Sequence, residues 1–287
     1  MRDFDYFRPR SLKEALSILS QEKVKVLAGG TDLLVKMKDG LLRPESLMDI
    51  SFLDELRFIR EENGKIVIGA LITHALLGKS PLINAKAPHL AEASRSIGSP
   101  LIRNVATIGG NIVNASPAGD CLPPLYTLEA ELLLESTKGS RTVPIEEFFT
   151  GPGQTIIGSE ELLTSIQFKA PQGEFAAFFQ KLGQRKALAI SKVSLAFLGV
   201  FKPGQKIFQK VRIALGAVAP TVVRTRTAEH FLEEKPIRSD VVNLAAKFCF
   251  QEAKPISDIR STQLYRQKTL SELLKRGLYQ LMKEAVS

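Results

Sequence analysis

Apolar residues recur at two different periods along this chain, and the switches between them mark out its elements. Leu12, Ala15, Leu16 and Leu19 fall at helical spacing behind Ser11, with Glu14 at the offset of a capping box. Val24–Ala28 reads as a short strand that runs into Gly29-Gly30. Thr31 or Asp32 then caps a second helix through Met37, and Gly40 stops it. Lys65–Ala70 predicts a strand, Thr73–Leu77 and Pro88–Ile97 predict helices, and Ala130–Glu135 returns to strand. Thr142–Ile145 leads into a short helix around Glu146–Phe149, Gly151-Pro152-Gly153 turns, and Glu161–Phe168 is another strand. After a hinge at Pro171-Gln172-Gly173 come three strands, Ala176–Gln184, Val193–Phe201 and Lys210–Ala219. Pro220 opens a helical remainder: Thr227–Leu232, Asp240–Glu252 and Thr262–Glu284. The pattern predicts an α+β chain in three units, residues 1–55, 56–170 and 171–287, the last a three-stranded sheet followed by helices.

Composition narrows the chemistry. With 287 residues, 44% hydrophobic and 24% charged, the chain has the profile of an ordinary globular protein large enough for more than one domain. No apolar run approaches the roughly 18–20 residues that span a bilayer. The start, Met1-Arg2-Asp3-Phe4-Asp5-Tyr6, lacks the apolar stretch of a signal peptide, so the expected compartment is the cytoplasm. Two distant cysteines, Cys121 and Cys249, cannot hold an iron–sulfur cluster, which usually takes four thiolates, and three scattered histidines make no metal pattern. A redox centre in this chain would therefore be organic.

The net charge of +9 is unevenly placed. No acid lies between Glu174 and Glu229, an interval holding Lys181, Arg185, Lys186, Lys192, Lys202, Lys206, Lys210, Arg212, Arg224 and Arg226. Such a field favours an anionic ligand or an acidic protein surface, or it is simply a solvated basic face. Nucleic acid fits less well, because the cations are not interleaved with aromatics and tryptophan is absent.

Two glycine loops carry the candidate chemistry. Ala28-Gly29-Gly30-Thr31-Asp32 joins a strand to a helix, and Thr107-Ile108-Gly109-Gly110-Asn111 leads on to Asn114, Ser116 and Asp120. Paired glycines let backbone approach a ligand, and successive free N–H groups form a seat for phosphate. The amide, hydroxyl and carboxylate side chains of the second segment suit a polar, sugar-containing ligand. Neither loop is a G-x-G-x-x-G or a G-x-x-x-x-G-K-[ST] motif.

Together these loops, with Leu33-Leu34 after the first and Ala115-Ser116-Pro117-Ala118-Gly119-Asp120 after the second, resemble the FAD-binding (medium) subunits of the molybdenum hydroxylases, the carbon monoxide dehydrogenase and xanthine dehydrogenase type. Arg103-Asn104-Val105-Ala106, Lys181-Leu182-Gly183-Gln184-Arg185, Ala189-Ile190-Ser191 and Tyr265-Arg266 extend the resemblance over nearly the whole chain. It implies a two-subdomain FAD-binding fold of the vanillyl-alcohol-oxidase type, followed by the family's C-terminal domain. It also implies that Leu27, Ala28, Gly29, Gly30, Thr31, Asp32 and Leu33 line the FAD diphosphate on one side, and Thr107, Ile108, Gly109, Gly110 and Asn111 on the other. Ser116 and Asp120 would bind the cofactor's polar chain, Leu163 and Ile190 would lie near it, and Lys181 would favour the anionic reduced flavin. Each residue also has a plain structural reading: Asp120 as a cap for a helix at Pro123-Pro124, Lys181 as a surface lysine, Leu163 and Ile190 as core. Asp32 is unfavourable beside a diphosphate unless it caps the helix and faces away.

The implied function is electron transfer. Iron–sulfur clusters of a [2Fe–2S] small subunit, fed by a molybdenum-cofactor large subunit, would pass electrons through FAD to NAD⁺, a quinone or oxygen. No acid–base dyad or nucleophile in this chain is needed. The FAD is expected to be dissociable, since no histidine lies in either loop. The competing readings are a free-standing flavin oxidoreductase of the same fold and a non-catalytic nucleotide-binding module.

Overall fold

In the computed structural model, which describes residues 3–185 and 188–284, the chain is α+β, with three main sheets and three apolar clusters. Met1, Arg2 and Lys186 of the readings above lie outside the described residues. The first sheet is parallel, with Ser46–Asp49 between Asp5–Phe7 and Lys25–Leu27. Helix Leu12–Gln21 covers it through Ala15, Leu16 and Leu19. Ser11 caps that helix by accepting from the Glu14 N–H at 3.2 Å. The Glu14 carboxylate reaches back to the N–H of Arg10 rather than of Ser11, so the reciprocal half of the box is displaced by one residue. Gly40, at φ +73°, ends helix Leu33–Lys38, and the Gly40 and Leu41 amides return to the carbonyls of Met37 and Lys36.

The second sheet has five antiparallel strands, ordered Ile59–Glu62, Lys65–Gly69, Leu162–Lys169, Glu131–Ser136 and Gly139–Pro144. Its buried face meets a layer of short helices, among them His74–Lys79, Pro88–Ser96, Ile108–Val113 and Leu122–Thr127. Four of the short helices start at a proline in the first turn, where the missing N–H leaves nothing unsatisfied. The segment expected as a glycine-rich loop is therefore largely helical at its centre, with Thr107 as N-cap accepting from Gly110 N–H at 3.1 Å.

The third sheet has four strands where three were expected. Phe175–Leu182, Val193–Phe201 and Phe208–Gly216 form the meander, and Val223–Arg224 adds a two-residue edge. Such a short strand has no alternation to betray it. Ala196 and Leu198 face the helices of the second unit, whereas Leu195 and Phe197 face helices Arg226–Leu232, Ser239–Glu252 and Gln263–Glu284. Period-two alternation thus buries both faces of this sheet. No helix among the described residues is long and apolar enough to cross a membrane.

Candidate functional site

The two glycine segments, about eighty residues apart in sequence, meet edge to edge. A Cβ on Gly29 would land on the main-chain carbonyl of Val105, just ahead of the second segment. Gly29 is thus needed for backbone to approach backbone. Gly30 has φ +71°, a left-handed conformation that a side chain resists. The two segments are also cross-linked by Asn114, whose amide donates to Asp32 at 3.1 Å and accepts from the Lys36 ammonium at 2.9 Å. Lys36 went unnoticed in the sequence, because nothing local relates it to a residue 78 positions away.

Free amides sit in the first segment, not the second. Among the described residues, the N–H groups of Gly29, Gly30, Thr31 and Asp32 donate to no group of the chain. Four successive donors in a turn, at half-exposed Gly29, Gly30 and Thr31 and exposed Asp32, make an anion-binding concavity. In the second segment the amides are consumed internally: Ile108 donates to Ile72, Gly109 to Ala70, Gly110 to the Thr107 hydroxyl and Asn111 to the Thr107 carbonyl. The expectation of a phosphate nest there is therefore corrected. Gly109 is required by the fold, since its Cβ would stand 2.7 Å from the Ala70 carbonyl oxygen. At Gly110 the added Cβ meets only the Thr107 hydroxyl, at 3.0 Å, leaving that glycine open toward the site. Beside it the Asn111 carboxamide oxygen is buried without a hydrogen-bond donor, an orphan that a hydroxyl-bearing ligand would satisfy.

Neither aspartate caps a helix. Asp32 stands at the N-cap position of Leu33–Lys38 in αR conformation, and its carboxylate goes to Asn114 instead. Helix Leu122–Thr127 begins at Cys121 with no side-chain cap, so the capping alternative for Asp120 falls. Asp120 is buried and receives the Lys181 ammonium at 2.6 Å on one oxygen and the Ser191 hydroxyl at 2.6 Å on the other. Burial pushes its carboxyl above the usual range, opposed by Lys181 and Ser191. Lys181 also donates to the Ser96 carbonyl at 2.8 Å. It is no surface lysine: it ties the first strand of the third sheet to the second glycine segment, with its charge balanced by Asp120.

The remaining expected residues scatter in depth. Leu163 is buried in the second sheet next to an irregularity in pairing, and Ile190 is 57% exposed on the connection between two strands of the third sheet. Leu27, Ala28 and Leu33 flank the free amides at intermediate depth, and the Ser116 hydroxyl accepts from Ala118 N–H at 3.3 Å. Behind Asp120 lies a buried group: the Cys121 thiol is 3.7 Å from His74 Nδ1 and 3.4 Å from the Ser94 hydroxyl. Burial pushes Cys121 up to about 12 and His74 down to about 4, so both are neutral structural groups near pH 7. No cluster among the described residues could hold a metal ion.

Comparisons with known proteins match nearly the whole chain. Residues 2–170 match the family model described as the FAD binding domain in molybdopterin dehydrogenase. Residues 178–281 match the CO dehydrogenase flavoprotein C-terminal domain. The carbon monoxide dehydrogenase medium chain of Hydrogenophaga pseudoflava is 35% identical over 277 residues, covering 96% of each chain. The nicotinate dehydrogenase FAD-subunit of Eubacterium barkeri is 31% identical over 282 residues, covering 96% of this chain and 95% of its own. A solved structure of carbon monoxide dehydrogenase from Hydrogenophaga pseudoflava superposes with a TM-score of 0.92 at 34% identity, over 97% of this chain and 96% of that one.

Proposed function

This chain belongs to the FAD-binding medium subunits of the molybdenum hydroxylase family, and we propose that it carries the last internal electron-transfer step of such a complex. It is a flavoprotein oxidoreductase subunit, and its cofactor is FAD. In our reading a [2Fe–2S] small subunit delivers electrons one at a time, a molybdenum-cofactor large subunit supplies them, and NAD⁺, a quinone or oxygen takes them away. FAD supplies the exchange between one-electron and two-electron chemistry. The compartment in this reading is the cytoplasm.

The observation that carries the site assignment is the row of unpaired amides from Gly29 to Asp32, set against the Gly110–Asn111 edge. We assign the diphosphate to those amides, flanked by Leu27, Ala28 and Leu33. The Asn111 oxygen takes a donor from the cofactor's polar chain, with Thr107, Ile108 and Gly109 holding Gly110 and Asn111 in place. Ser116, Asp120, Leu163, Lys181 and Ile190 complete the surround. Asp120 and Lys181 do so chiefly as a buried neutralised pair that fixes the third unit, residues 171–287, against the second, residues 56–170. Asp32 gives its carboxylate to the Asn114 amide, a bond that would lessen the repulsion expected of an acid beside the diphosphate.

Affinity purification of the full chain from its native cells tests the assignment. Recovery of stoichiometric FAD, molybdenum and [2Fe–2S] centres is the expected result. A chain that purifies alone with full dehydrogenase activity overturns the complex in favour of a free-standing flavin enzyme. Failure to bind FAD at saturating concentration overturns both.

A further inference from the structure

The helices that follow the two glycine pairs, Leu33–Lys38 and Ile108–Val113, are joined near their C-terminal ends. Lys36, in the last turn of the first, reaches Asn114, the C-cap residue of the second. Each backbone is held without help from that contact. The Asn114 N–H donates to the Gly110 carbonyl at 2.9 Å, and the Lys36 carbonyl accepts from the amides of Leu41 and Leu42.

Asp32 and Lys36 stand four residues apart, the spacing of a direct ion pair on a helix. No such pair forms. The Asn114 carboxamide is inserted between them, donating to the Asp32 carboxylate at 3.1 Å and accepting from the Lys36 ammonium at 2.9 Å. A carboxamide has one donor end and one acceptor end. With a carboxylate at the first and an ammonium at the second, only one orientation is stable, because a flipped amide sets oxygen against carboxylate and N–H against ammonium.

The bridge is also balanced in charge. Without Lys36, Asp32 keeps an uncompensated carboxylate on the residue that ends the row of free amides. Along the second segment, Gly110 and Asn111 lie between two points of attachment: the Val105 carbonyl packed on Gly29, and the Asn114 bridge. Both ends of the ligand-facing edge are thus tied to the first segment.

We propose that Asp32, Asn114 and Lys36 form a clasp across the FAD cleft, with Lys36 as its positioning residue. By fixing the Asn114 amide, Lys36 holds the Asp32 carboxylate and keeps the two glycine segments closed on the bound cofactor. The inference rests on the FAD reading above and names the group that sets how long the cofactor stays.

Release of FAD from the loaded full-length chain, followed by flavin fluorescence after dilution, tests the clasp. Lys36→Met should release FAD about fivefold faster, the worth of one net hydrogen bond. Lys36→Arg should restore the parental rate. Asn114→Ala should release at least as fast as Lys36→Met, and combining the two should add nothing further. Asp32→Asn placed on Lys36→Met should slow release again, because the stranded carboxylate is gone. FAD-free Lys36→Met should melt within about 2 °C of the parent, since an exposed polar contact contributes little to global stability. A larger fall assigns Lys36 to the fold and overturns its positioning role. Additive effects of Lys36→Met and Asn114→Ala, or no slowing by Asp32→Asn, overturn the clasp as drawn. A loaded chain whose release ignores Lys36→Met overturns the clasp alone, whereas a parent chain that never takes up FAD overturns the loop assignment and the clasp with it.

Discussion

Single glycines in the two loops do different jobs, and substitution separates them. Gly29→Ala places a methyl on the Val105 carbonyl, backbone against backbone, where neither side can yield without parting the loops. Overpacking of this kind costs about 1–3 kcal/mol. The expected result is a lower melting temperature of the FAD-free protein as well as lost flavin. Gly110→Ala meets only a hydroxyl, so the FAD-free protein should melt within a degree or two of the parent while flavin affinity falls. Equal melting of both variants would show that the loops are not held together through Gly29. The buried ion pair gives a second residue-scale expectation. Lys181→Met leaves the Asp120 carboxylate buried against Ser191 alone, and removing one member of a buried pair costs about 3–5 kcal/mol at neutral pH. Burial raises the Asp120 pKa in the folded state, so stability falls as pH climbs from the unfolded value through the folded one. Losing the ammonium raises that pKa further. The penalty of Lys181→Met should therefore shrink on acidification from pH 7 towards 4, as read by urea denaturation of the FAD-free protein. A penalty independent of pH would mean that the carboxylate is not the group left stranded.

Elements were legible where they were long and one-periodic. The strand Val193–Phe201 and the helices Ser239–Glu252 and Gln263–Glu284 stand within two residues of the expected limits, because each repeats its pattern several times. Asp5–Phe7 and Ser46–Asp49 escaped notice: the first is three residues long, and the second is buried throughout. Parallel pairing joins them across some forty residues, and only the assembled sheet defines either one. Helices Pro81–Lys86 and Pro100–Val105 escaped for the opposite reason, since a proline usually read as a breaker stands at their first turn. The short-helix layer also holds two buried histidines that should make it acid-sensitive. His74 is driven down to about 4 by burial and by the Arg103 guanidinium, and His89 to about 3 by burial, against the pull of the Pro124 carbonyl. A histidine pKa depressed by folding lends stability above about 6.5 that is lost as pH falls towards the folded value. At pH 5 each should already have cost about 2 kcal/mol. His89 bonds Thr127 at 3.0 Å between two helices, and Thr127 keeps a bond to the Pro124 carbonyl without it. His89→Leu should consequently reduce the stability lost between pH 7.5 and 5 by about 2 kcal/mol. An unchanged loss would place the acid-sensitive group elsewhere.

At the scale of the whole molecule, the linear charge pattern misleads and the apolar pattern does not. The acid-free stretch looks like one basic face in sequence, yet Asp120, Glu129, Glu146, Glu229 and Glu234 reach it from neighbouring elements. Pairing across such separations is set by the fold, and composition along the chain carries no trace of it. The candidate site was legible as far as its loops, because Gly-Gly pairs and amide side chains are local. Which loop offers free amides was not, because Ile72 and Ala70 take up the second loop's donors only in the folded sheet. The same tertiary logic sets how the molecule unfolds. Phe179, Ala196, Leu198, Ala214 and Val222 of the third unit share one apolar cluster with Leu90, Leu125 and Tyr126 of the second. Asp120–Lys181 and Arg224 with the Tyr126 carbonyl bind the same surfaces by polar contacts. An interface with a shared apolar cluster, a buried ion pair and a buried hydrogen bond resists separate opening of its two sides. The FAD-free chain should therefore melt in one calorimetric transition across residues 56–284. A fragment of residues 1–170, stripped of that sheet, should bind a hydrophobic dye and lose its sharp melt. Two resolved transitions in the full chain, or a cooperatively melting fragment, would show that the sheet merely rests on the FAD-binding part and that the shared cluster adds little to holding the site closed.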